Sequence, residues 1–116
     1  MKKHILSLAF IGLFTSAYAD YSAHQFHYMD MKLSKCKEIA SVSAKKIGFK
    51  NITEYNGANF AVVQGMNSEG YSFQYTCVAQ KSFAYLIING AYRNKRNALR
   101  DKLGNEIKSK AKNIKK

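Results

Sequence analysis

Tyr71-Ser72-Phe73-Gln74-Tyr75-Thr76-Cys77-Val78-Ala79-Gln80 is the stretch on which the fold turns. Tyr71, Phe73, Tyr75, Cys77 and Ala79 alternate with Ser72, Gln74, Thr76, Val78 and Gln80. A period of two with one largely polar face describes a strand covered on one side only. Outward from it, Asn67-Ser68-Glu69-Gly70 reads as the preceding turn, and residues 58–64 as a strand before that. Asn56-Gly57 is a hairpin pair, since both residues tolerate positive φ, and residues 51–55 form a short further strand. After the central strand, Lys81-Ser82 turns the chain into residues 83–89, apolar on both faces and ended by Gly90.

Helices flank this region. Leu33, Cys36, Ala40, Ser43 and Ile47 recur at helical spacing, with Ile39 widening the stripe. Asp30 is the expected N-cap. Gly48 stands where a left-handed C′ residue is wanted, and Phe49 where its apolar contact belongs. Beyond Asn94, Leu99, Leu103, Ile107, Ala111 and Ile114 form a narrow second stripe, with Gly104 weakening the helix by about 1 kcal/mol relative to Ala. The order α-β-β-β-β-α predicts an α+β domain: an antiparallel meander of three to four strands flanked by an N-terminal and a C-terminal helix. Residues 20–29, polar, aromatic and without a period, read as a flexible arm, residues 30–116 as the single domain, and residues 94–114 as its basic helix.

The compartment is read from the start of the chain. Lys2, Lys3 and His4 precede an apolar run over residues 5–14, and Ala17-Tyr18-Ala19 presents small residues at the two positions a signal peptidase reads. Residues 1–19 are therefore expected to be a signal peptide, with the exported chain, periplasmic or secreted, beginning at Asp20. The apolar run falls short of the ~20 residues that span a bilayer. Cys36 and Cys77 are the only cysteines in 116 residues, and in an exported chain two thiols favour a disulfide. Both lie on the faces that the two periodicities assign to the core.

Gly70-Tyr71-Ser72-Phe73-Gln74-Tyr75-Thr76-Cys77 follows a helix carrying Cys36 and Ala40 and precedes an apolar strand ended by Gly90. This layout resembles that of small exported bacterial α/β proteins with a helix-to-strand disulfide and no assigned activity. The resemblance covers most of the chain after residue 19. It implies no reaction and no site.

Catalysis is not expected. Beyond residue 19 the only histidines are His24 and His27, in the arm. Acid–base chemistry needs a titratable group held against its substrate, and the sparse carboxylates form no evident pair. Ser34/Lys37, Ser43/Lys46 and Ser109/Lys112 repeat a Ser-x-x-Lys spacing only because lysine is abundant. No cofactor is indicated. His24 and His27, with Met29 and Met31 nearby, are weak candidates for a metal site of the copper or zinc type, the basis of a third reading as a periplasmic metal carrier. The formal charge is +12. It is concentrated in residues 93–116, where ten Lys or Arg stand against Asp101 and Glu106. That segment supports one functional reading: a cationic binder of membrane surfaces or nucleic acid through Arg93, Lys95, Arg96, Arg100 and Lys102. The preferred reading is a non-enzymatic binding protein of inhibitor or immunity type that docks to another macromolecule. If both helices cover the face of Phe73, Tyr75 and Cys77, then Ser72, Gln74, Thr76 and Tyr85 lie on the open face and mark the surface for a protein partner.

Overall fold

The computed structural model describes residues 22–79 and 82–114. The signal-peptide reading, the cleavage at Asp20 and the ends of the chain fall outside these residues. The element order is β1 (Ser22–Tyr28), α1 (Leu33–Lys46), β2 (Lys50–Asn56), β3 (Phe60–Met66), β4 (Ser72–Val78), β5 (Phe83–Asn89) and α2 (Arg93–Ile114). All neighbouring strands are antiparallel, in the order β1-β5-β4-β3-β2. Among the described residues the domain is thus α+β with two helices and a meander, but the sheet has five strands rather than three or four.

The extra strand corrects the reading of residues 20–29 as a flexible arm. Residues 22–28 pair with β5 along their whole length, from Ser22 opposite Asn89 to Tyr28 opposite Phe83. β1 then crosses by way of α1 to the far edge of the sheet, and β2 to β5 lead back to it.

Helix α1 starts from Lys32, which has extended backbone and makes no side-chain cap. Asp30 is not the cap. The chain there is still leaving the sheet, with the Met29 N–H donating to Ser82 O at 2.8 Å, and Asp30 accepts instead from the Ser82 hydroxyl. The other end of α1 is as expected. Gly48 has φ 106°; its N–H donates to Lys45 O and that of Phe49 to Ala44 O. These two bonds form a Schellman motif, sealed by the buried Phe49 ring. Asn56-Gly57 does not make a two-residue turn. Neither residue has positive φ, and the connection extends to Asn59, closed by the Gly57 N–H on Phe60 O. At the next hairpin the Asn67 carboxamide oxygen accepts from the Glu69 and Tyr71 amides, so a side chain stands in for turn backbone.

Both helices pack on one face of the sheet. Phe73, Tyr75, Cys77, Val63, Leu86 and Ile88 point inward and are buried with Ile39, Ala40 and Ala44 of α1 and Leu103, Ile107 and Ala111 of α2. The Cys36–Cys77 disulfide is formed and ties α1 to β4, with 6.2 Å between Cα atoms. Glu106 of α2 accepts from Lys46 of α1 at 2.9 Å and from Lys110 at 2.8 Å, and these contacts hold its carboxyl below the usual carboxylate range. No described helix is long and apolar enough to cross a membrane.

Gly104 has a reason that helix propensity hides. A Cβ there would stand 1.9 Å from the Gln25 side-chain oxygen. Glycine lets α2 lie close over β1, where Gln25 reaches the Nε2 atom of His27 at 2.5 Å and the Tyr75 hydroxyl reaches Nδ1 at 2.8 Å. Because the Gln25 oxygen can only accept, the neutral imidazole carries its proton on Nε2, and Nδ1 accepts from Tyr75.

Candidate partner-binding face

With both helices on one side, the other side of the sheet is bare among the described residues, and the register sorts it into rows. One row runs Tyr28, Phe83, Val78, Phe60; the next runs Phe26, Tyr85, Thr76, Val62, Tyr55. These form an apolar belt. Phe26, Tyr28 and Tyr55 are 71%, 70% and 65% exposed, while Phe83, Tyr85, Val62 and Val78 are half-buried by their neighbours. The Phe26 ring lies 4.6 Å from that of Tyr85 and 6.2 Å from that of Phe83, within the range of favourable aromatic pairs. The two remaining rows are polar: His24, Ile87, Gln74, Gln64, Thr53, and then Ser22, Asn89, Ser72, Met66, Lys50. A shallow cleft of about 280 Å³ lies at that end, with Asn51, Thr53, Gln64, Gln74 and Asn89 among its walls.

Ser72, Gln74, Thr76 and Tyr85 all lie on this bare face, half-buried. The sequence reading missed that β1 and β2 widen it, adding His24, Phe26, Tyr28 and Tyr55. It also missed that apolar and polar groups segregate into two halves rather than mixing. The signal for β1 was present as alternation, but with the larger apolar side chains on the outward positions.

The chemistry on this face is sparse. The His24 ring contacts the Tyr85 hydroxyl through Nδ1, and no described strand residue adds a carboxylate there. Glu54 points to the helix side, where it pairs with Lys37 at 3.0 Å. His24 and His27 do not form a metal pair. They sit on opposite faces of β1, His24 exposed and His27 4% exposed with both ring nitrogens hydrogen-bonded. Burial, and secondarily the charge of Lys108, lowers the His27 pKa to about 4. No group of three metal-ligating side chains occurs among the described residues.

The cationic surface of α2 is smaller than its composition suggests. Arg96, expected to be exposed, is buried; its guanidinium donates to the Gly90 and Ala91 carbonyls at 2.8 and 3.4 Å and braces the β5–α2 corner. Lys95 pairs with Glu69 and sits 5.8 Å over the Tyr71 ring. Arg100 pairs with Asp101 at 3.0 Å. Of the five residues assigned to an anionic partner, Arg93 and Lys102 stand exposed.

No protein-family model matches the chain, and no curated protein sequence matches it.

Proposed function

We propose that this chain is an exported, non-enzymatic binding protein, and that the bare sheet face docks a protein partner. The observation that carries this reading is the apolar belt of Phe26, Tyr85, Phe83, Val62 and Tyr55, left in water beside a polar half. Contiguous apolar patches of several hundred Å² mark contact surfaces on soluble proteins, and aromatic side chains are enriched in protein interfaces. The N-terminal pattern of residues 1–19 and the disulfide support an oxidising compartment. An inhibitor or immunity role is a reading by class alone.

The test is capture of the partner by the oxidised protein from the extracytoplasmic fraction, at low salt and at about 1 M salt, where charges are screened within about 3 Å. Gln74→Arg combined with Thr76→Arg places two cations in the middle strand of the face without touching the core. Capture that survives salt and is lost in this double variant supports the reading. Capture lost with salt, or lost in Arg93→Glu with Lys102→Glu, replaces it with the anionic-surface reading. The same partner recovered by wild type and the double variant rules the face out.

A further inference from the structure

The polar half of the bare face is shaped by an irregularity in β2. Lys50 pairs with Met66 and Thr53 with Gln64, so Asn51 and Ile52 together stand opposite Gly65. This is a β-bulge, a device that re-aims side chains. The extra residue lets Ile52 turn inward against the core and puts Asn51 in the wall of the cleft beside Thr53. Asn51 meets the local demand with φ 54°, a left-handed conformation that asparagine adopts more readily than most residues. Gly65 completes the device. A Cβ there would stand 2.7 Å from Ile52 Cδ1 and 2.9 Å from Lys50 O.

The cleft beside this bulge measures about 280 Å³, close to the lower bound of small-molecule sites. The chain carries a formal charge of +12, yet among the described residues no Lys, Arg, His, Asp or Glu lines this cleft. Its polar side chains are the carboxamides of Asn51, Gln64, Gln74 and Asn89 and the hydroxyls of Thr53 and Ser72. Gln64 and Gln74 are direct cross-strand partners, with Cβ atoms about 5 Å apart. Among the described residues neither carboxamide has a hydrogen-bond partner. Asn89 is oriented by the Ser22 hydroxyl, which donates to its Oδ1 and leaves the NH2 group to donate. Met66, 51% exposed, adds an apolar flank.

We propose that this cleft binds an uncharged polyhydroxy ligand, a unit of a neutral oligosaccharide. An ionic ligand would be desolvated there without a counter-charge, and an apolar one would strand the carboxamides. A sugar ring meets both conditions. Each of its hydroxyls can donate and accept, and so can each carboxamide. Gln64 and Gln74, side by side, engage two neighbouring hydroxyls of one ring. Asn51 reaches the ligand from β2 and Asn89 from β5, while Met66 offers contact to its C–H groups. The site does not depend on a protein partner, whose reading rests on the aromatic half of the face.

The experiment is a titration of the oxidised protein with malto-, cello-, manno- and N-acetylchito-oligosaccharides, followed by NMR of the backbone amides and the Asn and Gln side-chain NH2 groups. The expected result is saturable binding of at least one of them in the millimolar range or tighter, with the NH2 groups of Gln64, Gln74 and Asn51 among the shifted signals. Asn51→Gly keeps the left-handed backbone and removes only the carboxamide, and Gln64→Leu removes the hydrogen-bonding groups at similar size. Together they should weaken binding by about tenfold or more, whereas Phe26→Lys, in the aromatic half, should leave it unchanged. If the double variant does not fold, Gln64→Leu alone decides, with an expected loss of about threefold or more. No saturable shift with any of the four series up to roughly 10 mM, binding indifferent to the cleft variants, or shifts confined to the aromatic half would overturn the proposal.

Discussion

Mild acid should loosen this domain through one residue, His27. Its imidazole is 4% exposed, lies beneath α2, and is hydrogen-bonded as the neutral form to Gln25 and Tyr75. A second proton would have to go on Nδ1, which now accepts from the Tyr75 hydroxyl, and it would meet the positive charge of Lys108. The folded-state pKa is accordingly lowered to about 4 from an ordinary 6.5. Between these values the unfolded chain binds a proton that the folded chain refuses, so acidification favours unfolding. The contribution is intact above about pH 6.5, falls as the pH drops, and is lost once the pH has passed the folded pKa. At about 1.4 kcal/mol per pH unit the full loss approaches roughly 3 kcal/mol, with about 2 kcal/mol of it gone by about pH 5. For a domain of this size that lowers Tm by on the order of 10 °C. Urea unfolding at intervals from about pH 7 to 5, above the carboxylate range, reads the effect. His27→Phe is the control. It leaves Tyr75 and Gln25 with unmet hydrogen bonds and is less stable at neutral pH, but its stability should change less with pH by this amount. A wild-type free energy that stays flat over the window, or a slope equally steep in His27→Phe, would refute the account.

Four further outcomes are expected. The oxidised protein should take up no thiol label, and replacing Cys36 and Cys77 by Ala should cost up to about 4 kcal/mol, the chain-entropy value for a separation of 41 residues; urea midpoints with and without reductant measure it. Leu103→Asp, at a fully buried position, should destabilise the domain by roughly 3–5 kcal/mol because a charge is buried without a partner, and unchanged thermal stability would show that α2 is not docked. Gly104→Ala should gain less than the roughly 1 kcal/mol of helix propensity, since its Cβ meets the Gln25 oxygen and pushes that side chain off His27; a gain of the full amount in urea unfolding would contradict the close approach of α2 to β1. N-terminal sequencing of protein recovered from outside the cytoplasm should begin at Asp20, and a retained Met1 would remove the export argument.

What was legible in the sequence is what local pattern decides. β4 announces itself because its inward Phe73, Tyr75 and Cys77 are apolar and three of its outward residues are not. The end of α1 is legible because Gly48 and Phe49 satisfy a local hydrogen-bonding need. β1 escaped because its pattern is inverted. Ala23, Gln25 and His27 point into the core, while Phe26 and Tyr28 point to water. The core accepts Gln25 and His27 only because Tyr75, fifty residues away in sequence, and Gly104, further still, complete their environment. Arg96 escaped for a related reason. Its partners are backbone carbonyls at an irregular corner, and no spacing in the sequence marks those. The bare face was foreseeable from the polarity of Ser72, Gln74 and Thr76. Its aromatic half was not, because it is assembled largely from β1 and β5, which lie about sixty residues apart in the chain.

The placement of β1 also orders events in time. Its partner β5 lies about sixty residues downstream, whereas β2 to β5 meet through short turns and α1 precedes them directly. Closing a long loop is slow and gains nothing until the contact is made. The meander with α1 can assemble first, and β4 brings Cys77 to Cys36 without any help from β1. Thiol oxidation can therefore run ahead of completion of the sheet. The first strand of the domain is then the last to be seated, held from one side by β5 and from above by an α2 that forms only after the remaining chain has been made.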